Sequence, residues 1–164
     1  MNEANKKQIK LGLIGVGAMG AVHAGRLSKG GAPSIQLAAL CDPNPASVGN
    51  FPDLPFFSST EAMLDQADLD AVFIATPHYH HTDLGVLALE RGLHTLVEKP
   101  MSANKADCEK LLSAQKASGK ILSVMLSMRT KPVYRKVKEL IETNQLGKIR
   151  RVNWTATNWF RTQA

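Results

Sequence analysis

Three glycines near the start of the chain have the spacing of a ligand-binding turn. Gly15, Gly17 and Gly20 follow the pattern G-x-G-x-x-G, directly after a short apolar run and before a helix-compatible segment. A strand, a tight turn and a helix start in this order place backbone N–H groups and the positive end of a helix where a pyrophosphate can bind. The stretch therefore predicts a dinucleotide-binding turn made of Gly15, Val16, Gly17, Ala18, Met19 and Gly20.

Each glycine has its own expected role in such a turn. Gly15 allows the sharp change of direction, Gly17 leaves room for the backbone to approach the phosphates, and Gly20 lets the helix pack closely on the strand. Three glycines at this spacing also occur by chance in loops. The prediction therefore depends on support from the rest of the chain.

Asp42 gives the first such support. It ends a second apolar run, residues 35–41, at the distance from the glycines where a carboxylate accepts hydrogen bonds from the adenosine ribose. The alternative is a turn or helix-cap aspartate within Asp42-Pro43-Asn44-Pro45, and we favour the ribose contact. A carboxylate there repels a 2′-phosphate, so NAD is predicted rather than NADP.

Lys99 is the strongest candidate for a catalytic residue. It stands between Glu98 and Pro100 at the end of another predicted strand. A lysine at that place can hold a substrate hydroxyl or carbonyl and assist proton movement during hydride transfer. The alternative is a surface salt bridge with Glu98, which the opposite directions of adjacent strand side chains disfavour. Arg129 is a further candidate for contact with an anionic cofactor or substrate, although an exposed arginine is the default.

Short apolar runs alternate with helical segments along most of the chain. The predicted strands are 9–14, 35–41, 56–57, 71–75, 94–97 and 121–126, and the predicted helices are 18–28, 60–66, 79–91 and 105–118. This alternation predicts an α/β fold, a doubly wound parallel sheet with helices on both faces. On the first helix we expect Met19 and Val22 to face the core. The glycine turn, Asp42, Thr76-Pro77 and Glu98-Lys99 all fall at the carboxyl ends of strands, where such sheets bind ligands.

The composition excludes several classes of protein. The chain has 164 residues, 44% of them hydrophobic and 21% charged, which is ordinary for a globular protein. Its 2 cysteines are too few for a disulfide framework and predict reduced thiols in a cytoplasmic protein. We expect neither a secretory signal in residues 1–10 nor a membrane-spanning helix, because no apolar run is long enough.

The charge and the histidines do not favour other ligands. The net charge is +6, but the only short basic clusters are Lys6-Lys7 and Arg150-Arg151, so surface charge is favoured over a nucleic-acid site. His78, His80 and His81 lie close together in sequence, yet neighbouring histidines point in different directions. With no cysteine or carboxylate at ligand spacing, we predict no metal site.

The character of the chain changes after the sixth predicted strand. A helix is predicted over 132–144, and residues 148–160 partly alternate in polarity, which predicts one strand of a different sheet. We therefore expect a disordered lead-in at 1–8, a dinucleotide domain at 9–128, and a linking helix with the start of a second domain at 129–164. An unpaired strand there would dimerise through 149–164, fold back or be disordered.

Several of these motifs together resemble the Gfo/Idh/MocA oxidoreductases, the family of glucose–fructose oxidoreductase and inositol dehydrogenase. The resemblance rests on the glycine turn, the strand ending in Asp42, Ala75-Thr76-Pro77 with His81, Ala88-Leu89…Gly92…His94, and Glu98-Lys99-Pro100. It covers nearly the whole chain from Lys10 onward. The joint presence of the glycine turn and Glu-Lys-Pro is specific, whereas either motif alone is not.

The resemblance implies an N-terminal NAD(P)-binding domain and a C-terminal open-sheet domain that shapes the substrate pocket. It implies oxidation of a sugar, cyclitol or related hydroxyl, or the reverse reduction. Lys99 matches the catalytic lysine, and Thr76, Pro77, His81 and Glu98 match residues that line the cofactor. The chain departs from the family at His78, where asparagine is usual, and at Leu93, where lysine is usual.

Family members are considerably longer than this chain. The resemblance implies that the Asp and His completing the catalytic group belong to the half that is missing here. We therefore expect the cofactor-binding half of a dehydrogenase, inactive alone. The alternative is a dinucleotide-binding regulator without chemistry, although the retained Lys99 argues for an enzyme.

Overall fold

The computed structural model describes residues 8–155. These residues form two compact units, one ending at Met125 and the other beginning at Leu126. Residues 1–7 of the predicted lead-in and residues 156–164 of the predicted second domain lie outside the described range.

The first unit is built on a six-stranded parallel sheet. Its strands are β1 (Ile9–Ile14), β2 (Ile35–Cys41), β3 (Phe56–Phe57), β4 (Ala71–Ile74), β5 (His94–Glu98) and β6 (Leu122–Met125). They are arranged in the order β3-β2-β1-β4-β5-β6, with all neighbouring pairs parallel. This order confirms the predicted doubly wound α/β fold, with its reversal of direction between β1 and β4.

Four helices connect the strands of this unit. They are α1 (Ala18–Ser28), α2 (Thr60–Gln66), α3 (His81–Glu90) and α4 (Lys105–Ser118). The helix predicted from Tyr79 begins two positions later, because residues 78–80 form a 3-10 turn. No helix in the described part of the chain combines the length and the apolar character needed to cross a membrane.

The strands divide their apolar side chains between two cores. Phe73 of β4 packs in one core with the strand residues Leu13 and Leu40. Its neighbours in the strand, Val72 and Ile74, pack in the other core. Successive side chains of a strand point to opposite faces, so a uniformly apolar run supplies both cores at once.

The prediction that Met19 and Val22 of α1 face the core is wrong. Met19 and Val22 are 48% and 44% exposed, whereas Gly20 and Ala24 are buried. The helix lies so close to the sheet that only small side chains fit beneath it. A Cβ atom added at Gly20 would lie 1.9 Å from the carbonyl oxygen of Gly15.

The second unit contains one α-helix, α5 (Pro132–Glu142), among its described residues. The predicted strand beginning at Lys148 does not form over residues 148–155, since no strand among the described residues of this unit offers it a partner. Instead, Trp154 stacks on Tyr134 of α5, with 5.6 Å between ring centroids and 7° between ring planes. Most charged side chains of this unit are basic, so it carries more positive charge than the Arg150-Arg151 cluster alone indicates.

The close approach at Gly20 makes a stability prediction. Gly20→Ala is expected to lower the free energy of unfolding by about 3 kcal/mol, because the new Cβ meets backbone that cannot move aside. Urea denaturation followed by circular dichroism measures this. Gly17→Ala is the matched control, since a Cβ at Gly17 has no atom within 4 Å. Equal stability of the two variants would contradict the packing argument.

Candidate functional site

A cleft of about 640 Å³ opens where the carboxyl ends of β1, β2 and β4 meet. Five of the residues predicted for the cofactor line it: Gly15, Gly17, Asp42, Thr76 and Pro77. The cleft is also lined by residues that the sequence did not single out for a ligand, among them Cys41, Pro43, Ser58, Ser59, Thr60, Glu61, His80 and Leu84. The remaining predicted residues lie outside this lining, and their cofactor contacts stay predictions: Val16, Ala18, Met19, Gly20, His81, Glu98 and Lys99.

The glycine turn leaves the start of α1 free to receive an anion. Gly15 has a φ of 90°, a left-handed conformation that favours glycine, and its N–H donates to the Cys41 carbonyl at 2.7 Å. Gly17 occupies the N-cap of α1, where no side chain caps the helix. The N–H groups of the first turn therefore lack a side-chain acceptor, and Gly17 adds no bulk above them.

Asp42 connects the end of β2 to the glycine turn. Its Oδ2 accepts the N–H of Val16 at 2.7 Å, and its Oδ1 accepts the N–H of Asn44 at 2.9 Å. The second bond is the turn contact of the alternative interpretation, but the first reaches across to the neighbouring strand. A carboxylate has about four acceptor positions, so these two bonds leave room for ribose hydroxyls.

The turn after β4 supplies another wall of the cleft. Thr76 and Pro77 both line it. The Thr76 hydroxyl oxygen is buried, and among the residues the structure describes it has no hydrogen-bond partner. Buried polar atoms usually have a partner, so an unbonded hydroxyl in this wall suits a polar group of a bound ligand.

His81 lies beneath this wall and not in the cleft. It is 1% exposed, with Nε2 at 2.9 Å from the Thr76 carbonyl oxygen and Nδ1 at 2.8 Å from the Pro100 carbonyl oxygen. One ring thus links the turn after β4 to the turn after β5. A second link joins the Thr82 and Ser102 hydroxyls, both buried. The first turn of α3 therefore fixes the segment that follows Lys99.

Lys99 is exposed at the end of β5, and its ammonium group has no ion-pair or hydrogen-bond partner within residues 8–155. The salt bridge with Glu98 considered above does not form. Glu98 is 7% exposed and accepts the backbone N–H of Lys99 at 2.9 Å. Its other oxygen pairs with His23 of α1, which the sequence analysis did not single out.

Cys41 lies in the wall of the cleft but is poorly suited to act as a nucleophile. Burial raises the pKa of its thiol above the usual 9.0, and the hydrogen bond with Thr60 offsets only part of that increase. The thiol therefore stays protonated at neutral pH. Among the described residues, no group of three or more His, Cys, Asp or Glu is arranged to hold a metal ion.

Together these features fit one kind of ligand. A free helix start suits a pyrophosphate, the carboxylate of Asp42 suits a ribose, and the open space at Gly17 admits the phosphates. Arg129 is exposed in the second unit, and its predicted contact with an anion stays a prediction.

Comparison with known proteins identifies the family. Residues 9–126 match the Gfo/Idh/MocA oxidoreductase family, described as having an NAD-binding Rossmann fold. The chain belongs to this family. The match covers all six strands and the whole of the cleft lining, so the resemblance inferred from the motifs is confirmed.

Three proteins similar to this Gfo/Idh/MocA chain are named as dehydrogenases of ring compounds. It is 32% identical over 120 residues to 1-carboxy-3-chloro-3,4-dihydroxycyclohexa-1,5-diene dehydrogenase of Comamonas testosteroni, covering 71% of this chain and 30% of that protein. It is 29% identical over 148 residues to inositol 2-dehydrogenase of Corynebacterium glutamicum, covering 87% and 44%. The crystal structure of scyllo-inositol dehydrogenase from Lactobacillus casei, with bound NAD(H) and scyllo-inositol, superposes with a TM-score of 0.81 at 26% identity, covering 86% and 43%.

The Gfo/Idh/MocA chain spans less than half the length of these relatives. The shared region includes the complete parallel sheet. The activity, substrate and partners of the relatives therefore concern proteins with much additional chain.

The buried ring of His81 makes a second stability prediction. His81→Ala removes the ring that contacts both carbonyl oxygens and leaves a cavity, so we expect the free energy of unfolding to fall by about 3 kcal/mol. Urea denaturation measures the loss. His78→Ala is the control, because His78 is exposed, and it should change stability by less than about 0.5 kcal/mol. A similar small effect for His81→Ala would show that the bridge is unimportant.

Proposed function

We propose that this chain binds NAD and forms the cofactor half of an enzyme that transfers a hydride between NAD and a ring hydroxyl of a cyclitol or sugar. The observation that carries the proposal is the cleft that combines the uncapped start of α1 with the Asp42 carboxylate. Family membership and the cyclitol relatives support the reaction and the substrate class.

The preference for NAD over NADP follows from the charge of Asp42. The 2′-phosphate of NADP would approach a carboxylate that two backbone N–H groups hold in place. Glu61 adds a second acidic side chain to the same lining. Like charges at short range in a partly buried cleft disfavour NADP, whereas ribose hydroxyls can donate to Asp42.

Each residue of the cleft has a proposed part in holding the cofactor. The N–H groups of the first turn of α1 would bind the pyrophosphate, and Asp42 would bind the adenosine ribose. Thr76 and Pro77 would form the wall of the cleft beside them. The bound cofactor supplies the acceptor or donor of the hydride. Lys99, whose ammonium is unpaired within the described range, would hold the substrate oxygen and stabilise the charge that develops there.

The proposal extends to the second unit. Among residues 8–155 the Lys99 ammonium has no partner that could act as acid or base, so the 164-residue polypeptide alone should not complete the reaction. Segment 149–164 is proposed to carry a contact with a second copy. In its described part, Val152 and Trp154 are 75% and 68% exposed, which supports such a contact.

Cofactor titration tests the binding proposal. The nicotinamide fluorescence of NADH should change when it binds to the chain. The dissociation constant of NADH should be at least about tenfold lower than that of NADPH, which is a difference of about 1.4 kcal/mol in binding free energy. Asp42→Asn removes the charge and should bring the two constants within about threefold of each other. Absence of binding by either nucleotide would overturn the proposed function.

Asp83→Asn serves as the matched control for this titration. Asp83 is exposed on α3 and pairs with Lys110, away from the cleft lining. The substitution removes one negative charge, as Asp42→Asn does, but should leave the NADH to NADPH preference unchanged. An equal change of preference in both variants would show that net charge, and not the position of Asp42, decides between the nucleotides.

The 164-residue chain should show little or no turnover by itself. With NAD and myo-inositol or glucose, the formation of NADH should stay at the level of the protein-free control, because Lys99 lacks the rest of a catalytic group. Absorbance of NADH measures this. Robust oxidation of either compound by the purified chain would refute the expectation of inactivity while supporting the proposed reaction.

A further inference from the structure

A buried pair of side chains joins α1 to the strand that carries Lys99. Nε2 of His23 lies 2.9 Å from Oε1 of Glu98, and the two side chains are only 11% and 9% exposed. A carboxylate oxygen accepts hydrogen bonds, so Nε2 of His23 carries a hydrogen and donates it. The other oxygen, Oε2, accepts the backbone N–H of Lys99 at 2.9 Å. One carboxylate therefore receives a donor from the helix and a donor from the lysine itself.

The ring of His23 is held on its other side by the sheet. It packs against Phe73 of β4, with 4.6 Å between ring centroids and a tilt of 57°. Phe73 is 2% exposed and belongs to the core beneath α1. The donor to Glu98 is thus held between a helix and a strand.

We propose that His23 and Glu98 are positioning residues that set the backbone of Lys99 relative to α1. The inference rests on the proposed function, in which Lys99 contacts substrate and the start of α1 holds the cofactor pyrophosphate. Each oxygen of Glu98 accepts one protein donor, and together the two bonds orient the peptide before Lys99. The predicted contact of Glu98 with the cofactor stays a prediction beside this role.

Two physical considerations favour positioning over stabilisation alone. A buried hydrogen-bonded pair of this kind contributes little net stability, because removing two polar groups from water opposes their attraction. Its geometry is nevertheless strict, since rotation of the peptide between Glu98 and Lys99 would break one of two hydrogen bonds. A small displacement of a catalytic group strongly lowers the rate of the chemical step. A restraint on the backbone of Lys99 would therefore keep its ammonium group in position for the reaction.

Amide hydrogen exchange of Lys99 tests this inference in the cofactor-free chain. We compare the exchange rate of the Lys99 amide with that of Phe73, which reports general opening of the sheet. His23→Phe keeps an aromatic ring against Phe73 but removes the donor, and it should raise the Lys99 rate at least tenfold relative to Phe73. A change of less than twofold would overturn the inference.

Glu98→Gln separates geometry from charge and remains informative if His23→Phe does not fold. The amide oxygen of Gln can accept the Lys99 N–H, and its NH₂ can donate to the other tautomer of His23. In Glu98→Gln, the exchange rate of the Lys99 amide relative to that of Phe73 should therefore stay within threefold of the native value. In Glu98→Ala, the protection of the Lys99 amide should be lost. Equal loss of protection in both variants would mean that the charge of Glu98 matters and not its hydrogen bonds, and would also overturn the inference.

A matched control uses the exposed pair between α3 and α4. Asp83 and Lys110 lie at 2.9 Å, the same separation as His23 and Glu98, but both are solvent-exposed. Lys110→Ala should leave the relative exchange of Lys99 unchanged, and an equal increase there would count against a specific role for His23. Because the measurement needs no nucleotide, failure of NADH to bind would refute the proposed function without altering this result.

Discussion

The contact between α1 and the turn before it is the constraint on which the site depends. Gly20 lies against the carbonyl of Gly15 at a distance that admits no further carbon atom. This contact fixes the start of α1 over the end of β1, and β1 is the strand from which the sheet extends to β2 on one side and β4 on the other. The turns bearing Asp42 and Thr76 are placed by the register of those neighbours. The start of α1, the carboxylate of Asp42 and the cleft wall at Thr76 thus share one geometric origin.

The fold was largely predictable from the sequence, because strands buried on both faces are short and uniformly apolar. The six strands and four helices of the first unit were located from that pattern, with bounds that differ by a few residues. The core face of α1 was not predictable in the same way. Hydrophobicity alone predicts that Met19 and Val22 face the core. The short distance between helix and sheet instead leaves room only for Gly20 and Ala24 at the buried positions. That distance is a property of the packed structure and is not expressed in the polarity of the helix.

Two histidines show why the site was only partly predictable. His23 and Glu98 are separated by 75 positions, and His81 and Pro100 by 19. Each contact depends on the order of strands in the sheet, which no local pattern specifies. By contrast, Asp42 and Thr76 were found because each directly follows an apolar run, and Lys99 because it follows one closely. Sequence analysis therefore located the groups at the edge of the sheet and named His81 and Glu98 by resemblance, but it missed His23 and the contacts that these supporting residues make.

The hydrogen bonds of Asp42 also bear on the entropy of ligand binding. The carboxylate ties the glycine turn to the loop after β2 in the cofactor-free chain, through the N–H groups of Val16 and Asn44. Two segments that would otherwise have to be ordered at the moment of association are already in place. Ordering a loop on binding reduces affinity, so a turn closed beforehand gives tighter binding from the same contacts. The carboxylate that we propose as the basis of nucleotide preference therefore also lowers, through these bonds, the conformational entropy that would be lost on binding.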